Sequence, residues 1–421
     1  MDARSRSMAE ATSRGRLGLV ARPSRPTRIV LIAGIVVALA TAGCSPSGAS
    51  QSALASSTPA AGSASPAASA SAASTDPIKV AQIAAHSGQL AQLGAWDKEA
   101  LDLAFKEKND AGGACGRKLE LTVYDDQGDP TVGVNVTRQA LETDIVAAFA
   151  TTESAVTLAV IPLFEEAKVP HFTAGQSDAI TKEGSAYVFR DGPPAAAFNK
   201  TLADYALNNK KWTKFAMVTN TGGYGDSERK AFTAQLKAAG ITPLLDATVT
   251  PEAQEFTAQI NDIKRLQPDV VYTGMEEVQN GLFAKQLREF GITAPLLGGP
   301  PGGTPQFVEV AGAAANGSIF ASPYITNDAN DQTRKFAAAF KAMHGKDPEF
   351  HGAKGYDGAQ LLFQAIEGTC DNITGETIAA ALHKISSYQG LQGTFSVQDT
   401  GETLSSTQVG VLDNGVPKLA E

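Results

Sequence analysis

The sequence predicts an α/β protein made of two successive sheets, each with its own helices. Three observations lead there. From Pro77 onward, short apolar runs alternate with segments whose apolar residues recur at helical spacing. The alternation falls into two series, separated by a break at Gly192-Pro193-Pro194. The chain has 421 residues, which suggests two domains.

The first series opens with a strand at Ile78–Ala85. Trp96, Ala100, Leu103 and Ala104 then share one face of a helix. Leu119–Tyr124 reads as a strand. Asp129-Pro130 joins an N-cap to the proline that suits a first helical turn. The apolar run Ile145–Ala150 reads as a buried strand, and Val156, Ala159, Val160 and Leu163 follow at helical spacing. Strands at Val169–Thr173 and Tyr187–Arg190 complete this half. The second series has strands at Lys214–Thr219, Ile241–Val249, Val270–Gly274, Pro295–Gly299 and Gly317–Tyr324. Helices separate them at Asp226–Ala239, Phe256–Leu266, Leu282–Phe290 and near Phe307. Further helices follow at Thr333–Met343, Asp357–Glu367 and Thr377–Lys384. The tail carries strands at Gly393–Val397 and Gln408–Leu412, with a turn at Asn414-Gly415.

What precedes Pro77 has another character. Arg14, Arg16, Arg22, Arg25 and Arg28 form a basic region before the apolar stretch Ile29–Ala40. With the small residues Thr41-Ala42-Gly43, residues 1–43 have the layout of a secretory signal. The apolar stretch is short for a permanent membrane span. Residues 44–76 are Ser, Ala, Pro, Gly and Thr almost throughout after Cys44, a composition that buries no core and reads as a flexible stalk.

Net charge −9 and a pI near 5.2 argue against a nucleic-acid partner. Three cysteines exclude a disulfide-dense scaffold and a four-cysteine zinc site. His86, His171, His344, His351 and His383 show no metal-ligand spacing. Gly223-Tyr224-Gly225 follows a strand, but the third position of a dinucleotide fingerprint holds Glu228. No cofactor or metal is expected, and a nucleotide-dependent α/β enzyme ranks below a binding protein.

The polar breaks at strand ends are the candidate site. In a parallel sheet, Thr151, Thr152 and Ser154 fall at one carboxyl end, and Ala174-Gly175-Gln176-Ser177 at the next. Ser154 at a helix start would place its hydroxyl beside free N–H groups, a site for a carboxylate. An ordinary N-cap is the competing reading for Ser154.

From Pro77 to about Val411 the chain resembles the type I solute-binding proteins of ABC transporters, in particular the branched-chain amino acid group. The resemblance rests on Ile78-Lys79-Val80 with Ser87-Gly88, Asn109–Gly113, Asp125-Asp126 with Asp129-Pro130, Thr173–Ser177, and Tyr224-Gly225. It implies two Rossmann-like lobes joined by a three-crossing hinge. Crossings would lie at Gly192–Pro194, near Pro323-Tyr324, and near Gly393–Phe395. Lobe one would comprise residues 77–194 and 325–394, and lobe two 195–324 and 395–421. The resemblance further implies that Ser154, Gln176 and Ser177 hold a ligand carboxylate. Tyr224, Glu276 and Glu277 would make second-lobe contacts, and Tyr356 a first-lobe contact. Leu93 stands where the family has a tryptophan wall.

One departure concerns charge. Where the family has an acidic partner for the ligand ammonium, this chain has Pro300-Pro301, which offers neither charge nor N–H. Glu153, Glu276 or Glu277 would have to compensate. If none faces the cleft, the ligand lacks a primary amine and is an amide or organic acid instead. Cys44 after Ala42-Gly43 resembles a bacterial lipoprotein box and is expected to carry the lipid, a palmitate-type anchor, although Thr41 replaces the usual leucine. Cys115 and Cys370 follow helices of one lobe in an exported chain and are expected to form a disulfide. The implied protein is a monomer on the outer face of the cell membrane or in the periplasm, passing a small-molecule solute to ABC permease subunits. A same-fold ligand sensor for a signalling partner is the alternative.

Overall fold

A computed structural model describes residues 75–420 except 183, 328 and 405. The expected signal, Cys44 and nearly all of the stalk lie outside the described residues.

The first series builds five strands. β1 (Ile78–Ala84) leads to α1 (Ala91–Asp110), β2 (Leu119–Asp125) to α2 (Pro130–Leu141), and β3 (Ala147–Ala150) to α3 (Ser154–Ala167). β4 (His171–Thr173) leads to the single turn α4 (Ala179–Lys182) and on to β5 (Val188–Arg190). All pair in parallel, in the order β2-β1-β3-β4-β5. The local signals explain the starts. Asp129 caps α2 by accepting the Thr131 and Val132 amides, with Pro130 in the first turn. β3 is Ala-Ala-Phe-Ala and buried throughout, because helices cover both faces of a parallel sheet.

After Gly192-Pro193-Pro194, α5 (Ala195–Asp204) packs on a second sheet through Phe198 and Leu202. There follow β6 (Phe215–Asn220), α6 (Gly223–Ala238), β7 (Leu245–Val249), α7 (Thr257–Leu266), β8 (Val270–Gly274) and α8 (Glu277–Glu289). β9 (Leu296–Gly298), α9 (Pro305–Ala311) and β10 (Ile319–Ser322) complete the series. The chain then returns to the first sheet. α10 (Asp331–His344) lies on α1 through Phe336 and Phe340, while α11 (Phe350–Glu367) and α12 (Gly375–Leu382) share the core of Leu101, Phe105 and Phe149.

β11 (Tyr388–Gly390), β12 (Gly393–Val397) and β13 (Thr403–Leu404) form a small antiparallel sheet. Its β12–β13 turn hydrogen-bonds β5: the Arg190 amide donates to the Gly401 carbonyl, and the Thr403 hydroxyl donates to the Arg190 carbonyl. The second sheet is rejoined only at β14 (Gln408–Asp413), later than Gly393–Phe395, and β15 (Val416–Leu419) closes its edge. That sheet runs β15-β14-β10-β9-β8-β6-β7, antiparallel only at β14 and β15.

α11 begins seven residues before the Asp357 expected from sequence. Gly352, Gly355 and Gly358 weaken its helical signal, since glycine is a poor helix former. At Gly355 the cause is packing. A β-carbon on Gly355 would lie 2.3 Å from Asp97 Oδ1 of α1, so only glycine permits this approach. Cys115 and Cys370 form a disulfide with Cα atoms 5.4 Å apart, tying the end of α11 to the loop after α1.

Candidate functional site

In each sheet the strand order reverses once, between β1 and β3 and between β6 and β8. At such points the loops leaving the carboxyl ends diverge and a crevice opens. One small cavity is walled by loops from both crevices. From the first sheet come Leu93, Thr152, Glu153, Ser154, Ala174 and Gln176; from the second come Tyr224, Glu276, Glu277 and Pro301; His351 completes it from α11.

The α3 corner departs from the sequence expectation. Glu153, not Ser154, is the N-cap. Its Oε2 accepts the amides of Ala155 at 2.6 Å and Val156 at 3.0 Å. The protein's own carboxylate therefore occupies the positive end of the helix. Ser154 is the first helical residue, and its Oγ accepts the Gln176 and Ser177 amides, each at 3.2 Å. With both lone pairs so engaged, its hydroxyl hydrogen is left to donate.

Ser177 and Tyr356 do not line this cavity. Ser177 gives its amide to Ser154, and its Oγ accepts the Ala179 amide at 3.4 Å, so it shapes the loop from behind. Tyr356 donates to Glu107 Oε2 at 2.7 Å and packs on Phe336. The reason is helical phase: Tyr356 follows His351 by five positions, about 140° round α11 at 3.6 residues per turn. His351 is the α11 residue that reaches the cavity. It was missed because its turn of helix was missed; the Glu349 cap, which accepts the Gly352 amide at 3.0 Å, was the available signal. Trp96, on the same helix face as Ala100 and Leu103, stacks on His351 with ring centroids 5.7 Å apart.

The electrostatics are acidic. Burial, then the charges of Glu277, Glu153 and Glu228, push the Glu276 carboxyl well above its usual range. Burial also raises Glu277, against the opposing pull of His351. Burial raises Glu153 despite the amides it accepts. For His351, burial disfavours the charged ring, yet Glu349, bonded to Nδ1 at 3.0 Å, and Glu277, 3.9 Å from Nε2, together raise it. Pro301 is on the wall, and so are Glu276, the N-cap of α8, and Glu277, its first residue. The buried Gln176 Oε1, Tyr224 Oη and Thr152 Oγ1 have no hydrogen-bond partner. Behind Tyr224, Glu228 accepts from Tyr272 at 2.6 Å and Asn199 at 3.0 Å, and burial pushes its carboxyl to about 7. Among the described residues no group of His, Cys, Asp or Glu is arranged to hold a metal ion.

Residues 77–415 match the family model described as periplasmic binding protein. The Leu/Ile/Val-binding protein homolog 3 of Brucella melitensis is 29% identical over 337 residues, covering 78% of this chain and 89% of that protein. A leucine-binding protein of Thermotoga maritima superposes with a TM-score of 0.77 at 25% identity, covering 82% of this chain and 98% of that one. A branched-chain amino acid binding protein of Streptococcus pneumoniae, solved with isoleucine, gives 0.77 at 23% identity over 82% of this chain and 99% of its own. The chain belongs to the periplasmic binding protein family, solute-binding proteins of ABC transporters and not enzymes.

Proposed function

We propose that the protein is the lipid-anchored solute receptor of an ABC importer, closing two lobes over a small amine-bearing solute and handing it to the permease subunits. The observation that carries this reading is the shared cavity. Leu93, Glu153, Ser154 and Gln176 from the first sheet meet Tyr224, Glu276 and Glu277 from the second around one space. The amine follows from Glu153, Glu276 and Glu277 all lining that space, which meets the condition set by the missing acid at Pro300-Pro301. Ser154 and Gln176 offer the solute polar contacts, with Ser177 holding Ser154 in place.

In this reading the lobes, residues 77–194 with 325 to about 403 and 195–324 with 408–421, move about the three crossings as hinge-closing proteins do. The third crossing then comes after Thr403 and before Gln408, since Gly401 and Thr403 still bind β5 and Gln408 already pairs in the second sheet. Buried Asp357 supports the hinge: its carboxylate accepts the Leu391 amide at 2.8 Å and the Gln392 amide at 3.1 Å. The Gln392 side chain in turn donates to the Asp191 carbonyl at 2.9 Å, lashing the chain just before the first crossing to the turn between β11 and β12. Cys44 would carry the lipid and residues 44–76 the tether, so the body reaches the permease while staying at the membrane. Mass spectrometry of small molecules released from the freshly purified protein tests the reading. An amine-bearing solute in near-stoichiometric amount is expected; a solute without nitrogen would refute the amine.

A further inference from the structure

Resting on the solute-receptor reading, we propose that the solute is an organic cation without a carboxylate: an alkyl or polyamine, an amidine or a guanidine. An α-amino acid needs donors for its own carboxylate, and in this cavity the backbone amides that would serve are already given away. The Ala155 and Val156 amides at the start of α3 are given to the Glu153 carboxylate. The neighbouring loop is equally spent. Ala174 donates its amide to the Thr151 carbonyl, Gly175 to Thr173 Oγ1, Gln176 and Ser177 to Ser154 Oγ, and Asp178 to Ser227 Oγ.

Side-chain cations are committed elsewhere too. Lys354 donates to the Ala174 carbonyl and faces Asp191 at 3.9 Å. Arg190 pairs with Glu402 at 3.0 Å and donates to the Gly175 and Ser177 carbonyls. On the cavity wall itself, His351 alone can carry positive charge, and Glu349 and Glu277 already flank it.

The hydroxyls of Ser154, Thr152 and Tyr224 can still donate, but the ionisable groups left on the wall are predominantly acidic. Three carboxylates, Glu153, Glu276 and Glu277, line the space against one imidazole. A zwitterion brings no net charge to that imbalance; a carboxylate-free amine or guanidine brings a positive one. The second, independent observation is the pair of unpartnered polar side chains on the same wall. Gln176, 6% exposed, presents an Oε1 without a donor, and Tyr224, 4% exposed, an Oη without any partner. A buried amide oxygen left bare is costly, and an N–H from the ligand satisfies it. Since no group of described residues is arranged to hold a metal ion, the cation that fits is an organic one with several N–H donors.

The test is calorimetric titration of the full-length protein in detergent with pairs that differ only by the carboxylate. Isoamylamine is set against leucine, cadaverine against lysine, and agmatine against arginine, with 4-methyl-2-oxopentanoate and benzoate as anions. The decarboxylated member of at least one pair is expected to bind about tenfold or more tightly than its amino acid, and Glu276→Gln to weaken that amine by roughly tenfold. If an amino acid binds more tightly than its partner, or only the anions bind, the inference is overturned while the solute-receptor reading stands. Silence from every compound, in titration and in thermal shift alike, would overturn both.

Discussion

Gly223, the first residue of α6, meets Ala155 of α3 so closely that a β-carbon on it would sit 2.9 Å from the Ala155 nitrogen. The two helices come from opposite sheets, and the Asp178 amide adds a 3.0 Å hydrogen bond to Ser227 across the same seam. Contacts of this kind exist only when the sheets approach. Gly223→Ala is therefore expected to hinder closure while leaving each sheet folded. Ligand affinity should fall by about tenfold, since binding draws on the closed population. Small-angle scattering with saturating ligand checks it: the variant should stay more extended than the parent.

Ser154→Ala should weaken solute binding by roughly ten- to a hundredfold, the loss expected for a buried hydrogen bond to a charged or strongly polar group, about 1.5–3 kcal/mol. It also strands the Gln176 and Ser177 amides, which now donate to Ser154 Oγ at 3.2 Å. Ser154→Cys keeps a weak acceptor there and separates the two contributions. Equal affinity in the parent and both variants would remove Ser154 from the site.

Affinity for an amine should rise with pH. Glu276 and Glu277 are held above the usual carboxylate range, by burial first and then, for Glu276, by its acidic neighbours. Below their raised values they are protonated and pair poorly with an ammonium; above them the pairing is complete. A bound cation lowers both values, so binding must release protons. Glu153 and His351 face the same groups and share the titration, and the Glu349 carboxylate stands beside His351. Titrations in two buffers of different ionisation enthalpy, between about pH 5 and 8, measure the proton count. Proton uptake on binding would contradict this arrangement.

The Cys115–Cys370 disulfide closes a separation of 255 residues. Denatured without reductant, the body should show no labelling at either position. Replacing both cysteines by serine should lower stability by at most about 4–5 kcal/mol, the chain-entropy expectation for so long a loop. An unchanged melting temperature in the double variant would show that the first sheet and α11 hold together without it.

Cys44→Ser should release the protein from membranes with the body still folded, because residues 44–76 separate the two. Fractionation followed by circular dichroism of the soluble pool measures both halves of the statement. Retention of the variant in the membrane would assign the anchor to Ile29–Ala40 instead.

The sequence by itself determined the alternation of strand and helix, the reversal into a second sheet after Pro194, and the loops that meet at the cavity. Those features are written locally. An apolar run of β3 length buries both faces wherever it lies, and Asp129-Pro130 starts a helix in any context. Tertiary structure decided which side chains turn inward and what they are free to do. Whether Glu153 or Ser154 caps α3 depended on the Gln176 and Ser177 amides, 22 and 23 residues further on, claiming the serine hydroxyl. Whether His351 or Tyr356 reaches the cavity depended on the rotation of α11, where Gly355 approaches Asp97. Such choices rest on contacts between residues distant in the chain, and the charge left over in the cavity is the sum of those contacts.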